Sequence, residues 1–243
     1  MPLTNKTAVV TGGGSGIGAA VALSLAASGC RVVIAGRREE PLLETAARFE
    51  GETAMLTRTV DVADRDSVNA LFEWAERELG QIDILVNSAG INVPTRSLDS
   101  LNPDDWDKVL AVNATGAYNC IHAVLPQMRA RRDGIIVNIG SVAGLRAGLI
   151  GGAAYNASKF AMTALGRTVG VECCDEGIRV TNVYPGEVET PILDDRPVPV
   201  SAEHRARILQ PEDIAAAVQM VVELPPRANV PELVIKPTTQ AFS

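Results

Sequence analysis

Several features are absent from this chain of 243 residues, and each absence excludes a class of protein. There is no excess of basic residues, because 22 Lys and Arg stand against 29 Asp and Glu and the formal net charge is −7. A nucleic-acid surface needs a basic patch, so we expect no nucleic-acid partner. No apolar run reaches transmembrane length, and the chain does not begin with the basic-then-apolar pattern of a signal peptide. We therefore expect no membrane association and a cytoplasmic location.

Cysteine is scarce and forms no C-x-x-C pair, the four thiols being Cys30, Cys120, Cys173 and Cys174. A bridge between the adjacent Cys173 and Cys174 would be strained, so we interpret all four as reduced thiols of a cytoplasmic protein. We expect no bound metal. Internal repeats, low-complexity tracts and linkers are also absent. With 47% hydrophobic and 21% charged residues, the chain suits one dinucleotide-binding domain spanning residues 1–243.

What the chain does contain is a regular alternation of strand-like and helix-like segments. Short β-rich runs, several of them apolar throughout as in strands buried on both faces, lie at residues 7–10, 31–35, 54–60, 84–86, 135–139, 180–183 and 233–235. Helical patterns lie at 17–28, 68–79, 106–128, 155–176 and 211–222, and Asn102 before Pro103 is typical of a helix start. This alternation predicts an α/β fold, a doubly wound, mostly parallel, seven-stranded Rossmann-type sheet with helices on both faces. One long irregular segment, 191–210, is interpreted as a substrate lid or a disordered loop.

The most informative stretch is a glycine-rich turn between the first strand and the first helix. We assign its residues to cofactor binding: Thr11, Gly12, Gly14, Ser15, Gly16, Ile17 and Gly18. Free backbone N–H groups and the helix dipole converge at such a turn, which therefore fits the pyrophosphate of a dinucleotide. A merely flexible turn is the alternative, and the strand and helix on either side disfavour it.

The end of the second strand indicates which dinucleotide binds. An NAD site usually has Asp or Glu there for the ribose 2′-hydroxyl, but here Gly36 is followed by Arg37 and Arg38. Arginine pairs with a 2′-phosphate, so the sequence favours NADP over NAD, with Arg37 nearest the strand end. The alternative is that both arginines are solvated charges paired with Glu39 and Glu40.

Two further strand ends supply candidate cofactor contacts. Asp61, followed by Val62, comes after the third strand and either accepts from the adenine amine or helps to cap the next helix. Small residues after the fourth strand would let a second turn approach the ribose, and we assign Asn87, Ala89 and Gly90 to this role.

A second constellation carries acid–base chemistry. Tyr155 and Lys159 are four residues apart and so share one face of a helix. A phenol titrates near 10, but an ammonium at about 4 Å contributes roughly 4 kcal/mol, on the order of three pKa units, and brings the phenol near working pH. Ser141 follows the fifth strand, where it either donates to a carbonyl oxygen beside the phenol or simply ends the strand. Asn113, a poor helix former within a helical pattern, holds a water, marks a kink or bonds to the backbone.

Together these motifs resemble the short-chain dehydrogenase/reductase family over essentially the whole chain. The family's Thr-Gly-x-x-x-Gly-x-Gly matches residues 11–18, its Asn-x-Ala-Gly matches 87–90, and its Pro-Gly turn before a threonine matches 185–190. Its catalytic Asn, Ser, Tyr and Lys match Asn113, Ser141, Tyr155 and Lys159. The resemblance implies the fold predicted above and hydride transfer between a nicotinamide and a small carbonyl or alcohol.

The resemblance also implies a role for each matched residue. Tyr155 would donate the proton in reduction, Lys159 would hold the nicotinamide ribose and lower the pKa of the phenol, Ser141 would orient the carbonyl, and Asn113 would anchor a proton-relay water. The nicotinamide end would be lined by Pro185, Gly186, Val188 and Thr190. It further implies a homodimer or homotetramer, which the helix 155–176, apolar or small nearly all round, indicates independently.

Departures from the family pattern bear on the substrate. Ser88 replaces a frequent second Asn, which is a mild change. The segment 233–240 lacks the Asp-Gly-Gly ending of many members and looks more like the branch acting on small 3-hydroxy acids. This weakens the alternative of a 3-oxoacyl carrier-protein reductase. A cofactor-binding sensor or scaffold has no need of both Tyr155 and Lys159, and an epimerase or dehydratase would need a larger substrate domain.

The substrate wall is expected from residues 142–152, from the turn at 186–187 and from the lid. Glu187 either recognises a polar or cationic substrate group or points to solvent, and we favour solvent. The lid also carries cations that would attract an anion, offset by Asp194 and Asp195; they are Arg196, His204, Arg205 and Arg207.

Overall fold

The computed structural model describes residues 3–51 and 53–240. Its strands are β1 (Thr7–Thr11), β2 (Arg31–Gly36), β3 (Leu56–Thr59), β4 (Ile84–Asn87), β5 (Gly134–Ile139), β6 (Ile178–Pro185) and β7 (Glu232–Ile235). Within the described residues they form one sheet, every neighbouring pair parallel, in the order β3-β2-β1-β4-β5-β6-β7. The predicted seven-stranded doubly wound fold is therefore confirmed.

Helices connect the strands, as parallel pairing requires. They are α1 (Gly16–Ala27), α2 (Glu39–Ala47), α3 (Arg65–Leu79), α4 (Pro103–Leu110), α5 (Gly116–Arg131), α6 (Gly152–Glu172), α7 (Ala202–Arg205) and α8 (Pro211–Glu223). Short 3₁₀ turns lie at Val142–Gly144, Cys174–Glu176 and Pro191–Leu193, and a π-helical turn lies at Ala111–Thr115.

The central strands are covered on both faces because they are apolar on both sides. All five residues of β1 are buried. Ala8 and Val10 belong to a core with residues of α1 and α8, whereas Val9 belongs to a second core with residues of α3, α5 and α6. Successive side chains of a strand point to opposite faces, so one apolar strand serves both cores.

The direction in which successive strands are added to the sheet reverses between β3 and β4. The chain runs from β1 outward through β2 and β3 and then returns to β4 on the other side of β1. In a parallel sheet all carboxyl ends lie on one edge, and ligands bind beside such a reversal. The segments that follow β1, β2, β4, β5 and β6 therefore build the candidate site.

Several helix and strand boundaries differ from the sequence-based predictions because packing in the folded protein sets where these elements end. β3 covers only part of the predicted run 54–60, because it is the edge strand and is half exposed. The helical pattern 106–128 is broken by the π-helical turn at Ala111–Thr115. The predicted helix 155–176 begins at Gly152 and ends at Glu172. Asn102 does cap α4, its side chain accepting from the Asp104 N–H at 3.0 Å.

Candidate active site

The glycine-rich turn after β1 is held together by close backbone contacts. Gly12 has φ +67, in the left-handed region that favours glycine. A Cβ on Gly18 would lie 2.3 Å from the Gly12 carbonyl oxygen. Ser15 precedes α1, and its side chain makes no capping hydrogen bond to the helix. The first N–H groups of α1 therefore have no capping partner from Ser15 and suit an anion.

Beside this turn lies a cavity of about 190 Å³, which we call the glycine-turn cavity. The turn and the ends of β2, β3 and β4 form its walls. Most of the residues predicted to bind the adenosine half of a dinucleotide line it: Gly12, Gly14, Ser15, Arg37, Arg38, Asp61, Val62, Ala89 and Gly90.

The polar groups of the glycine-turn cavity are arranged at its rim. Arg37 and Arg38 are exposed, as the alternative of solvated charges predicts, but within the described residues neither forms an ion pair, so the predicted pairing with Glu39 and Glu40 is wrong. Asp61 is also exposed and accepts from the Ala63 N–H at 3.0 Å. The next helix, α3, is capped by Asp64 instead.

Some predicted cofactor residues lie behind the cavity walls. The Thr11 hydroxyl accepts from the N–H groups of Ser88 at 3.2 Å and Ala89 at 3.3 Å, so it fixes the turn after β4. Gly16 has φ +52, and a Cβ there would be 3.0 Å from the Thr190 side chain. These residues shape the walls through packing rather than by facing the cavity.

Asn87 also lies behind the walls, in a ladder of buried amides that sequence reasoning missed. Its Nδ2 donates to Asn138 Oδ1 at 3.0 Å, and Asn138 Nδ2 donates to Asn182 Oδ1 at 3.0 Å. The three side chains stand in register on β4, β5 and β6. The signal was an asparagine near the end of three apolar strands, at equivalent positions.

A second and larger cavity, of about 390 Å³, opens beside Tyr155, and we call it the tyrosine cavity. It lies between the end of β5, the start of α6, the turn after β6 and the segment 191–210. The predicted residues that line it are Ile17, Ser141, Tyr155, Pro185, Gly186, Val188 and Thr190. Tyr155 and Ser141, predicted to act together, thus face one space.

Tyr155 and Lys159 lie one turn apart on α6, with Lys159 Nζ 5.6 Å from the centroid of the Tyr155 ring. Nζ donates to the Ile139 carbonyl oxygen at 2.9 Å. Burial lowers the pKa of Lys159 from 10.5 to about 8. Burial raises the pKa of Tyr155, whereas a hydrogen bond with Ser141 and the charge of Arg96 act to lower it.

A second positive charge, besides that of Lys159, acts on the phenol. The charge of Arg96, which sequence reasoning missed, acts to lower the pKa of Tyr155. No local motif marks Arg96, because it lies on a loop 59 residues before Tyr155 in the chain.

Asn113 is fully buried in the π-helical turn, and its side-chain amide hydrogen-bonds to other residues of the protein. Its Oδ1 accepts from the Ile91 N–H at 2.8 Å, and its Nδ2 donates to the Ile91 carbonyl at 2.9 Å and to Ser158 Oγ at 3.0 Å. Two of the predicted alternatives are seen, because Asn113 bonds to the backbone of Ile91 and lies in the π-helical turn that interrupts the helical pattern. A relay water at Asn113 stays a prediction.

Glu187 corrects one expectation, because it does not point to solvent. Its side chain is 18% exposed, lines the tyrosine cavity and forms ion pairs with Arg196 at 3.5 Å and with His204. Arg205 pairs in turn with Glu189 and Asp194. Two arginines of the segment 191–210, Arg196 and Arg205, are therefore paired with neighbouring carboxylates.

Comparison with known proteins identifies the family. A sequence profile described as short chain dehydrogenase matches residues 6–198, and this chain belongs to that family. An uncharacterized oxidoreductase of Staphylococcus saprophyticus is 37% identical over 238 residues, covering 97% of this chain and 98% of that protein.

Two solved structures resemble the fold closely. An alcohol dehydrogenase from the archaeon Thermococcus sibiricus, complexed with 5-hydroxy-NADP, has a TM-score of 0.88 at 26% identity and covers 98% of this chain and 99% of its own. A serine dehydrogenase complexed with NADP⁺ has a TM-score of 0.89 at 28% identity and covers 98% and 97%. Family membership shows that the protein is an oxidoreductase of this class.

Neither a membrane span nor a metal centre is found in the part of the chain that the structure describes. No helix there is long and apolar enough to cross a bilayer. No group of three or more His, Cys, Asp or Glu side chains in the same residues is placed to hold a metal ion.

Proposed function

We propose that this protein is an NADP-dependent oxidoreductase that interconverts a small carbonyl compound and its alcohol, with Tyr155 as the acid–base group. The observation that carries the proposal is the meeting of Tyr155 and Ser141 in the tyrosine cavity, with Lys159 buried one turn further along α6. Residues 1–243 would act as one domain, with 191–210 as the lid of the tyrosine cavity.

The residues divide the chemistry between them. Ser141 Oγ accepts from the Ala143 N–H at 3.1 Å, which fixes the hydroxyl at the end of β5 where it can orient a carbonyl oxygen. In reduction Tyr155 gives its proton to that oxygen, and in oxidation it takes the proton back. The bound nicotinamide would supply or accept the hydride. Lys159 would hold the nicotinamide ribose.

The glycine-turn cavity suits a dinucleotide because Gly12, Gly14 and Ser15 line it with backbone and short side chains beside the N-terminus of α1. A pyrophosphate would rest on the N-terminus of α1, beside Ser15. Arg37, exposed at the rim, would bind the 2′-phosphate, so we propose NADP as the cofactor. The NADP-type ligands of the two solved relatives support this assignment.

A substitution at Tyr155 tests the mechanism. In Tyr155→Phe the acid–base hydroxyl is lost while the ring still fills its place, so turnover should fall by about 10²- to 10⁴-fold. NADPH binding, followed by fluorescence, should be unchanged. Turnover is followed as NADPH consumption with a panel of small ketones and aldehydes, and Tyr118→Phe, an exposed tyrosine on α5, is the matched control.

Each outcome separates the proposal from its alternatives. A sensor or scaffold would bind NADPH without consuming it with any carbonyl. A carrier-protein reductase would consume NADPH only with carrier-bound substrates. Turnover that survives Tyr155→Phe would remove Tyr155 from the mechanism.

We also propose that the protein is a homodimer or homotetramer. α6 leaves Phe160 43% exposed, and α5 leaves Tyr118 42% exposed, so apolar surface on neighbouring helices lacks a cover. Sedimentation velocity at micromolar concentration should show no major monomer, and a stable monomer contradicts this proposal. The cytoplasmic location stays a prediction.

A further inference from the structure

The tyrosine cavity is strongly unbalanced in charge. Among the described residues that line it there is one carboxylate, Glu187, against four cationic side chains, those of Arg96, Arg146, Arg196 and Lys236. Glu187 is already engaged by Arg196 and His204. A cationic substrate would have to displace those partners, whereas an anionic substrate would meet the guanidinium of Arg96, which forms no ion pair within the described residues.

Arg96 is the cation most closely tied to the reacting group. Its backbone packs against Gly152, the first residue of α6, where a Cβ would lie 2.6 Å from the Arg96 Cβ. Tyr155 follows Gly152 by three residues, so Arg96 sits beside the turn of α6 that carries the phenol. Burial raises the pKa of the phenol, and the charge of Arg96 is one of the two causes that act to lower it.

The guanidinium of Arg96 is held in place by main-chain carbonyls. Nε donates to Val93 at 2.8 Å, Nη1 to Ile150 at 2.6 Å, and Nη2 to Asp195 at 2.9 Å. These acceptors belong to three different loops around the cavity, including the segment 191–210. The side chain is therefore ordered before any ligand arrives, which reduces the entropy cost of using it for binding.

The charge of Arg96 is not neutralised by these bonds. Within the described residues no carboxylate forms an ion pair with it. A guanidinium has five N–H donors, and the three carbonyls use three of them, so two N–H groups remain. Burial lowers the pKa of Arg96 and the charge of the nearby Arg196 lowers it further, whereas the charges of Asp195 and Tyr155 act to raise it. Two half-buried guanidinium groups that repel each other would both be stabilised by an anion bound at this point.

We propose that Arg96 binds the carboxylate of an oxo acid or hydroxy acid whose carbonyl or hydroxyl group reacts at Tyr155. This proposal rests on the proposed function and adds a substrate class to it. The reaction is the same hydride and proton transfer, and the carboxylate keeps its bonds and its charge throughout. Arg96 is thus a specificity-determining residue.

The first test compares acids with neutral analogues in the unmodified enzyme. Short oxo acids, from acetoacetate to 4-oxopentanoate, are assayed beside their methyl esters by NADPH consumption. A charge-assisted bidentate contact should favour at least one acid over its ester by about 10- to 100-fold in kcat/KM. If no acid in the series is preferred to its ester, the proposal is overturned.

The second test assigns the preference to Arg96. Arg96→Gln should lower kcat/KM for the preferred acid by about 10- to 100-fold, mainly through KM, and should change the ester by less than about threefold. Arg96→Lys should recover part of the acid preference because it restores the charge. Arg207→Gln, which removes an exposed lid arginine outside the cavity, is the matched control and should leave the ratio unchanged. An equal loss for acid and ester would show that Arg96 only tethers the three loops, which contradicts the proposal.

A binding measurement separates this proposal from the proposed function. The protein loaded with NADP⁺ is titrated calorimetrically with the hydroxy acids that correspond to the oxo-acid series and with their methyl esters. Tighter binding of the acid, lost in Arg96→Gln, supports the anion site even if no carbonyl is turned over. Absence of turnover with every substrate contradicts the proposed function alone. If Arg96→Gln does not fold, the uncharged variant Arg96→Met replaces it, and an acid-to-ester ratio equal to that of the parent enzyme counts against Arg96.

Discussion

The two cavities of the site are built in different ways. The glycine-turn cavity is built on a turn whose glycines pack against one another, Gly18 against Gly12, and Thr11 ties this turn to Ser88 and Ala89 after β4. The tyrosine cavity is walled by long side chains from separate loops, and its bonds join Arg96 to Ile150 and to Asp195 across 54 and 99 residues. The first cavity therefore leaves a local signature in the sequence, and the second does not.

This contrast also separates what each cavity tolerates. Backbone atoms cannot move aside by changing rotamer, so a methyl group added against them must displace the main chain. A wall of arginine and glutamate side chains can rearrange, and its ion pairs tune selectivity instead. We expect the glycine-turn cavity to be fixed across substrates, and the tyrosine cavity to carry the choice of substrate.

The largest expected effect is on stability at the glycine-rich turn. In Gly18→Ala the new Cβ would lie 2.3 Å from the Gly12 carbonyl oxygen, so α1 or the turn must shift. We expect a loss of about 3 kcal/mol in the free energy of unfolding, measured with urea. In the middle of a helix, replacing glycine by alanine usually stabilises the protein. A loss of stability in Gly18→Ala would therefore identify the steric clash with Gly12.

The matched change in the other cavity is Gly148→Ala. An added Cβ there meets nothing within 4 Å, and the backbone has no positive φ. Its effect should lie between zero and a gain of about 1 kcal/mol. Equal losses in the free energy of unfolding for Gly18→Ala and Gly148→Ala would contradict the proposed difference between the two cavities.

The same contrast explains how far the sequence predicts this structure. Local patterns predict the strands, their alternation with helices along the chain and the turn at 11–18. The fold and the glycine-turn cavity are therefore predicted well. Ser141 and Tyr155 are predicted from their places after β5 and on α6, and they meet in one cavity. Arg96 and the surroundings of Glu187 depend on where loops dock, and no spacing in the chain encodes that. The amide ladder of Asn87, Asn138 and Asn182 becomes visible only when the strand register is known.

The second effect lies at Lys159, which is close to a residue of each cavity. A Cβ on Gly90, in the glycine-turn cavity, would lie 3.5 Å from Lys159 Nζ, and the centroid of the Tyr155 ring is 5.6 Å from the same atom. Burial lowers the pKa of Lys159 from 10.5 to about 8, so keeping the ammonium in the folded protein at neutral pH costs about 3 kcal/mol. Lys159→Met removes this cost and also the bond to the Ile139 carbonyl, so the cofactor-free protein should gain about 2 kcal/mol at pH 7.

The pH dependence gives this prediction a sign. Between pH 8 and 10.5 the unfolded chain holds the proton that the folded protein has lost, so the stability of the unsubstituted protein should rise with pH in this window. Lys159→Met should lack this rise. Urea unfolding at pH 7 and pH 9.5 measures both effects, and a variant less stable than its parent at pH 7 would show that the ammonium is stabilised by contacts other than the one to Ile139.

The smallest effect concerns the rim of the glycine-turn cavity, where side chains replace backbone. Arg37 and Arg38 are exposed, so any contact with a 2′-phosphate is screened by solvent and is weaker than a buried one. Arg37→Gln should weaken NADPH binding about tenfold, near 1.4 kcal/mol, and should leave NADH binding unchanged. Arg38→Gln is the matched control, and its effect should be smaller because Arg38 lies one residue further from the end of β2.

Both variants are measured by NADPH fluorescence at two salt concentrations, and the difference in NADPH affinity between them should shrink as salt rises. Tighter binding of NADH than of NADPH by the unsubstituted protein would contradict the assignment of Arg37, and the rim would then select its cofactor through shape rather than charge.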